Sequence, residues 1–363
     1  MLYYSEEEWK KINRDKSPEE IKDIMSRAIV RGKIPFPYEQ ISQKEAREDF
    51  MRLMETRPLA ALKKGKWGSK FPYTRMKQIP AYLGKDNFAK KTSNKYTQRS
   101  RLAVDHRQLM SMVRAWDSPE SHHSMLSGIW TIFNSKSITP DSMRRAIQLR
   151  KYCAAQFRPS AARAIYEMYG GGDVLDFSAG WGDRLVGALA SPSVKSYTGV
   201  DPNPKLHPCY RQIQKTVGTL AANPKIQINL IKDKAENVDY GDKKFDIVFT
   251  SPPYFDVERY EGNESSWRNF ASQNDWINGF LCKAMSNGYR HLKNGGYMLI
   301  NISDMFIRAK RISICKPMVD FMEKSVGAKY LGNMGYQMSK TVGQHVDRPE
   351  GVYCEPIFVF CKL

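Results

Sequence analysis

From about residue 150 onward, short apolar runs alternate with helical stretches, and this alternation restricts the fold more than any other feature. The runs lie at 174–177, 197–200, 226–231, 245–250, 297–302, weakly near 330–334, and at 357–361. They are of strand length, and the segments between most of them are long enough for crossover helices. The pattern predicts an α/β fold with a mostly parallel seven-stranded sheet. In such a sheet ligands bind outside the carboxyl ends of the strands. The residues just after each run are therefore the candidates for function.

The first run ends in Asp176-Phe177-Ser178-Ala179-Gly180-Trp181-Gly182-Asp183. Gly180 and Gly182 let the backbone turn tightly and approach a ligand closely. Asp201 ends the next run 19 residues after Gly182, close to the roughly 20-residue spacing at which a strand-end carboxylate takes ribose hydroxyls. No Walker-type Gly-Lys-Ser/Thr and no third glycine of the dinucleotide fingerprint accompany them, which suits a cofactor without phosphates. Asp233 follows the third run, with Glu236 close behind, and capping of a helix N-terminus explains these two acids as well as cofactor contact does.

The run at 245–250 ends in Thr250-Ser251-Pro252-Pro253-Tyr254-Phe255. Two prolines fix two φ angles and remove two N–H donors, so the turn offers carbonyl oxygens with the Ser251 hydroxyl beside them. Such a turn grips an amine. A base amine is a poor nucleophile because its lone pair is delocalised into the ring, and accepting its N–H bonds holds that pair toward an electrophile. The Tyr254 ring gives a base a face to stack on, a contact worth about 1–3 kcal/mol.

Ser251-Pro252-Pro253-Tyr254 resembles the (Asp/Asn/Ser)-Pro-Pro-(Tyr/Phe) motif of S-adenosylmethionine-dependent amino methyltransferases, whose members methylate adenine N6, cytosine N4 or a protein glutamine amide. The resemblance extends from about 150 to the C-terminus, and the wording of its motifs is most similar to methylases of phages and large viruses. It implies a Rossmann-like class I methyltransferase domain with S-adenosylmethionine as cofactor. Ser251, Pro252, Pro253 and Tyr254 become the catalytic turn, and Phe255 a second wall. Asp176, Ser178, Gly180, Gly182, Asp201 and Asp233 become cofactor residues. Phe157 and Pro159, in Gln156-Phe157-Arg158-Pro159-Ser160, fall where relatives surround the methionine end of the cofactor, although Pro159 also suits the start of a helix. Ser178 stands where members commonly have Phe. Serine at the first motif position leans toward cytosine N4 over adenine N6 in family usage. The implied reaction is direct in-line methyl transfer to an amine, with base flipping for a duplex substrate.

The N-terminal 149 residues have a different composition. Residues 1 to about 55 and 102–150 look helical, with Ser5-Glu6-Glu7-Glu8 and Ser17-Pro18-Glu19-Glu20 as capped starts. An apolar set of Leu109, Met112, Val113, Trp116, Met125, Ile129, Ile132 and Phe133 suits a core there. Between Arg57 and Arg101 thirteen bases face one acid, Asp86. Trp67, Phe71, Tyr73, Tyr82, Phe88 and Tyr96 lie among them, as on a surface that grips a phosphate backbone and stacks bases. Lys63, Lys64, Lys66, Trp67, Arg75, Lys90 and Lys91 are its candidate substrate contacts. The expected division is a basic, mainly helical domain over 1–149 and the methyltransferase domain over 150–363.

The net charge of +19 points to a polyanionic partner, nucleic acid rather than a membrane. DNA is the first expectation and RNA the nearest alternative, because interleaved rings and bases suit single strands equally. A protein-glutamine substrate does not call for such a charge, and a non-catalytic binding protein on the same fold would not require the glycine, acid and Pro-Pro-Tyr residues together. Six cysteines without a Cys-x-x-Cys pair fit reduced thiols and argue against structural zinc. His122-His123 reads as a structural pair rather than a metal site. No apolar run nears the roughly 18–20 residues that span a bilayer, and the first residues lack a signal core, so the cytoplasm is the expected compartment.

Overall fold

The computed structural model describes residues 2–69, 76–132, 137–256, 258–260, 270–307, 310–338 and 351–363. The chain forms two compact units. One comprises Met1–Ile41, Gln98–Ala155 and Asp256–Gly262, the other Ser42–Thr97, Gln156–Phe255 and Asn263–Leu363.

The first unit is mainly helical. Ser5 and Ser17 close capping boxes with Glu8 and Glu20 at the starts of Glu6–Asp15 and Pro18–Gly32, as their sequences predict. Its core gathers Trp9, Ile21, Met25, Ile29, Met112, Trp116, Met125 and Ile129. Leu109 does not join them. It is 48% exposed, in the connection just before the helix Met112–Asp117. Phe133 lies outside the described residues. His122 is buried, with Ser26 Oγ 2.9 Å from Nδ1 and Trp116 O 2.8 Å from Nε2, a structural arrangement.

The second unit is built on a nine-stranded sheet, whose strands we number along the chain: β1 Leu62–Lys64, β2 Gln78–Leu83, β3 Gly172–Asp176, β4 Val194–Val200, β5 Gln227–Ile231, β6 Phe245–Thr250, β7 Leu292–Asn301, β8 Lys329–Gln337 and β9 Cys354–Cys361. Their order is β1-β2-β8-β9-β7-β6-β3-β4-β5. Strands β3 to β7 pair parallel, whereas β9 runs antiparallel to both β7 and β8. All seven runs anticipated from the sequence are strands. In β6, Phe245, Ile247, Val248, Phe249 and Thr250 are buried, the near-continuous apolar pattern of a parallel strand covered on both faces. From β3 the chain winds outward through β4 to β5, then returns to lay β6 against the other side of β3. The gap beyond the carboxyl ends of β3 and β6 is thus a topological switch point, where an open α/β sheet binds its ligand.

The two strands not anticipated come from the basic segment. β2 pairs parallel with β8, and β1 pairs antiparallel with β2 and forms the sheet edge. Residues 42–97 therefore fold with the methyltransferase sheet, and the division is not a single cut at 149/150. The cause is nonlocal pairing, which the composition of the segment does not reveal. Among the described residues no helix is long and apolar enough to cross a membrane, and no group of three or more His, Cys, Asp or Glu is placed to hold a metal ion.

Candidate active site

Three strand ends assemble the candidate site in the second unit. The loop after β3 turns on Gly180 at φ +54° and Gly182 at φ +77°, left-handed conformations that glycine adopts without strain. A Cβ on Gly182 would also lie 2.9 Å from Ile213 Cδ1. Gly180 N–H donates to Asp201 Oδ2 at 2.9 Å and Asn203 N–H to Asp201 Oδ1 at 2.9 Å, so the loop is fastened to the end of β4. Tyr210 Oη donates to Gly180 O at 2.5 Å. Burial pushes the Asp201 carboxyl up to about 6, with the two N–H bonds pulling the other way. Each of its oxygens holds one backbone donor and keeps acceptor capacity for another.

Asp176, at the end of β3, is fully buried and serves as a hub beneath the loop. It accepts from Arg184 Nε at 2.8 Å and Nη2 at 3.2 Å, from Tyr197 Oη at 2.7 Å and from Thr250 Oγ1 at 2.8 Å. Burial opposes the Arg184 charge, and Asp176 outweighs it, so the guanidinium is held above its usual value. With these donors around it, the Asp176 carboxylate holds the loop in position. The Thr250 bond has a further effect, because it ties the β3 end to the residue immediately before Ser251.

The turn after β6 is half-exposed at Ser251, Pro253, Tyr254 and Phe255, with Pro252 buried. The Ser251 hydroxyl and the Pro252 carbonyl have no hydrogen-bond partner among the described residues. Tyr254 Oη donates to Glu355 Oε1 at 2.5 Å. Phe255 lies with its ring centroid 5.7 Å from that of Trp276, just ahead of the π-helical turn Ile277–Cys282, a rare element that recurs at functional sites.

The other expected site residues differ in where they lie. Ser178 is half-buried beside the glycine turn, its N–H 3.3 Å from Asp176 Oδ1. Asp233 is exposed two residues past β5, its Oδ1 accepting from Lys234 N–H at 2.7 Å, in a turn that starts no helix. Phe157 is wedged between Tyr336, stacked at 4.5 Å, and Phe249, edge-on at 5.6 Å, while Pro159 is buried as the opening residue of the helix Pro159–Met168. Both are packed into the core.

In the basic segment Trp67 is a correction as well. It is 5% exposed, its Nε1–H donates to Ile79 O at 3.1 Å, and it packs on Gly335. Such a ring cannot stack a base. Lys63, Lys64 and Lys66 are exposed, the first two on the edge strand. Lys90 is half-buried at the start of the helix Lys90–Leu102. Lys91 N–H donates to Asp49 at 2.8 Å and its Nζ lies 3.7 Å from Glu45. Arg75 lies outside the described residues, with Phe71 and Tyr73.

Two partners of the site were not expected. Glu355 of β9 meets Tyr254 from 101 positions away, and nothing in the sequence joins them. Asn301, at the end of β7, donates to Glu355 Oε2 at 3.1 Å. Asp304, three residues further on, is a helix cap. It accepts from the N–H groups of Ile314 and Cys315 at 2.8 and 2.9 Å, before the helix Cys315–Lys324.

Residues 245–362, from the first residue of β6 through β9, match the family model of the N6/N4 DNA methylases. The chain is an S-adenosylmethionine-dependent methyltransferase. Its sheet, with β9 reversed between β7 and β8, is the Rossmann-like class I methyltransferase fold, extended here by β1 and β2. A search of curated proteins finds no match. Among solved structures, the methyltransferase is similar to an S-adenosylmethionine-dependent methyltransferase from Clostridium acetobutylicum, at 13% identity and TM-score 0.34, over 55% of this chain and 87% of that one. It is also similar to TrmN from Thermus thermophilus, at 15% and 0.36 over 57% and 49%. An rRNA methylase from Streptococcus thermophilus gives 14% and 0.34 over 58% and 99%.

The residues at the switch point fit the cofactor of this class. The positive-φ glycines leave a backbone wall without side chains, and Asp201 is a buried acceptor at the end of the adjacent strand. Gly180, Gly182 and Asp201 are the residues that would hold it.

Proposed function

We propose that this methyltransferase acts on the exocyclic amine of a DNA base, with cytosine N4 favoured over adenine N6. The observation that carries this reading is the turn Ser251–Tyr254. Two acceptors without partners among the described residues stand beside an aromatic ring there, at the end of the strand whose Thr250 is bonded to the base of the glycine loop. When bound, S-adenosylmethionine supplies an electrophilic methyl group on its sulfonium. Ser251 Oγ and the Pro252 carbonyl accept the two amine N–H bonds and hold the nitrogen lone pair out of conjugation with the ring. Tyr254 fixes the plane of the base, offsetting the few kcal/mol that flipping from a duplex costs. The hydrogen-bond acceptors on the turn are neutral, so the site fits an amine better than a group that must be deprotonated first. An amine attacks as the neutral base and sheds its proton to solvent after the S–C bond has broken and the N–C bond has formed. Serine at the first position of the turn supports cytosine N4 through the family resemblance.

The test is transfer of labelled methyl to matched pools of duplex DNA, single-stranded DNA and structured RNA, followed by nucleoside analysis. Label in N4-methylcytosine of DNA, lost in the Ser251→Ala plus Tyr254→Ala double variant, is the expected result. Label confined to RNA, or to a ring nitrogen or carbon, would overturn it.

A further inference from the structure

We infer that Glu355 is a positioning residue for methyl transfer, holding the plane of the Tyr254 ring through its hydroxyl. The inference rests on the reading just given. Glu355 sits on β9 opposite Tyr336 of β8, two residues before Ile357, which faces Asn301 of β7. This register points its carboxylate at the carboxyl ends of β6 and β7. Among the described residues, Tyr254 Oη at 2.5 Å and Ser303 Oγ at 3.2 Å converge on its Oε1, and Asn301 Nδ2 at 3.1 Å on Oε2. Asn301 is itself 1% exposed and also donates to Pro356 O at 3.2 Å, so it fixes the carboxylate in turn.

The need for such an anchor follows from the turn. Pro252 and Pro253 fix the backbone before Tyr254, but the residue belongs to no helix or strand, and its side chain is half-exposed. Nothing in the backbone sets the two side-chain torsions that orient the ring. A hydrogen bond at the para position sets the first by placing the hydroxyl oxygen, and favours one value of the second because a phenolic O–H lies in the plane of its ring. Because the acceptor is a carboxylate, the bond is of the charge-assisted kind, about twice as strong as a neutral one. The tyrosine hydroxyl is thereby committed to Glu355 as a donor, and the ring acts on the base through its face.

The test is a double-mutant cycle in the full chain, read by single-turnover methyl transfer to DNA and by S-adenosylmethionine affinity. Tyr254→Phe keeps the ring and removes the hydroxyl, and Glu355→Ala removes the acceptor. Each slows transfer by roughly 10- to 100-fold, the scale of a misplaced reacting group. The double variant is no slower than the slower single variant, and cofactor affinity stays within about twofold. Losses that multiply in an active enzyme, or a Glu355→Ala variant at the wild-type rate, overturn the inference alone. Should Glu355→Ala not fold, Glu355→Gln carries the same cycle, its smaller loss disappearing in the Tyr254→Phe background. A second readout needs no turnover. With tyrosine labelled at 13Cζ, the Tyr254 resonance, identified by its absence in Tyr254→Phe, shifts in Glu355→Gln, and an unmoved resonance removes the hydrogen bond from the argument. A wild type that methylates no nucleic acid sinks the underlying reading, and the positioning role with it.

Discussion

At the scale of single residues, the proposed reaction divides the site into acceptors that would meet the substrate and groups that set their position. Replacing Ser251 by Ala deletes one acceptor and leaves the Pro252 carbonyl, so kcat should fall by about 10²-fold, as for loss of one preorganised hydrogen-bonding group. Cofactor affinity measured by calorimetry should not move. Asp201 predicts a pH effect whose sign follows from burial. Its folded carboxyl titrates near 6, above the roughly 3.9 of an exposed aspartate. The ionised form therefore costs the free protein stability above pH 6, and that cost disappears as the pH falls toward 4. If Asp201 takes the ribose hydroxyls, their donation favours the ionised form, and S-adenosylmethionine should bind more tightly at pH 7.5 than at pH 5, by up to about tenfold per pH unit below 6. Asp201→Asn should bind more weakly with a flat profile over this range, and an equally steep profile in the variant would assign the effect to another group. Gly180, Asp201 and Ser251 were legible because each stands in a local pattern at a strand end. Glu355 was not, because its place depends on how the last strand is registered against β7 and β8.

At the scale of elements, periodicity carries far and pairing does not. Every strand from β3 to β9 shows as an apolar run, and the glycine loop and Pro-Pro turn mark where two of them stop. β2 does not show, since Gln78–Leu83 includes Pro80 in a stretch with a basic rather than an apolar pattern, and what makes it a strand is the open edge of β8. Trp67 was misread for the same reason. Among bases it resembles a stacking platform, yet once β2 docks it is enclosed between Ile79 and Gly335. Trp67→Ala should consequently lower stability by about 3–5 kcal/mol in urea unfolding, the range for a large aromatic removed from a core. The folded fraction should bind nucleic acid as before, whereas a fully stable variant with weakened binding would restore the stacking role. Lys63 and Lys64 also acquire a structural meaning on β1, the outer strand of the sheet, where lysines discourage edge-to-edge pairing.

At the scale of the whole molecule, the net charge of +19 predicts how binding responds to salt. If nucleic acid is held through its phosphates, the logarithm of the binding constant should fall linearly with the logarithm of salt concentration. Six to ten phosphate contacts would cost about 10³- to 10⁵-fold between 50 and 200 mM. S-adenosylmethionine lacks phosphates, and its affinity should stay nearly constant over the same range, which separates phosphate gripping from a general effect of salt on the fold. The structure also ranks the lysines within this effect. Lys66 is exposed with no ion pair among the described residues, so Lys66→Ala should reduce the salt slope by about one if it meets a phosphate. Lys91 has part of its charge committed to Glu45, and Lys91→Ala should reduce the slope by less. Equal slopes in wild type and both variants would place the phosphate grip elsewhere on the basic surface, while a wild-type slope near zero would mean that the charge is not spent on a phosphate backbone at all.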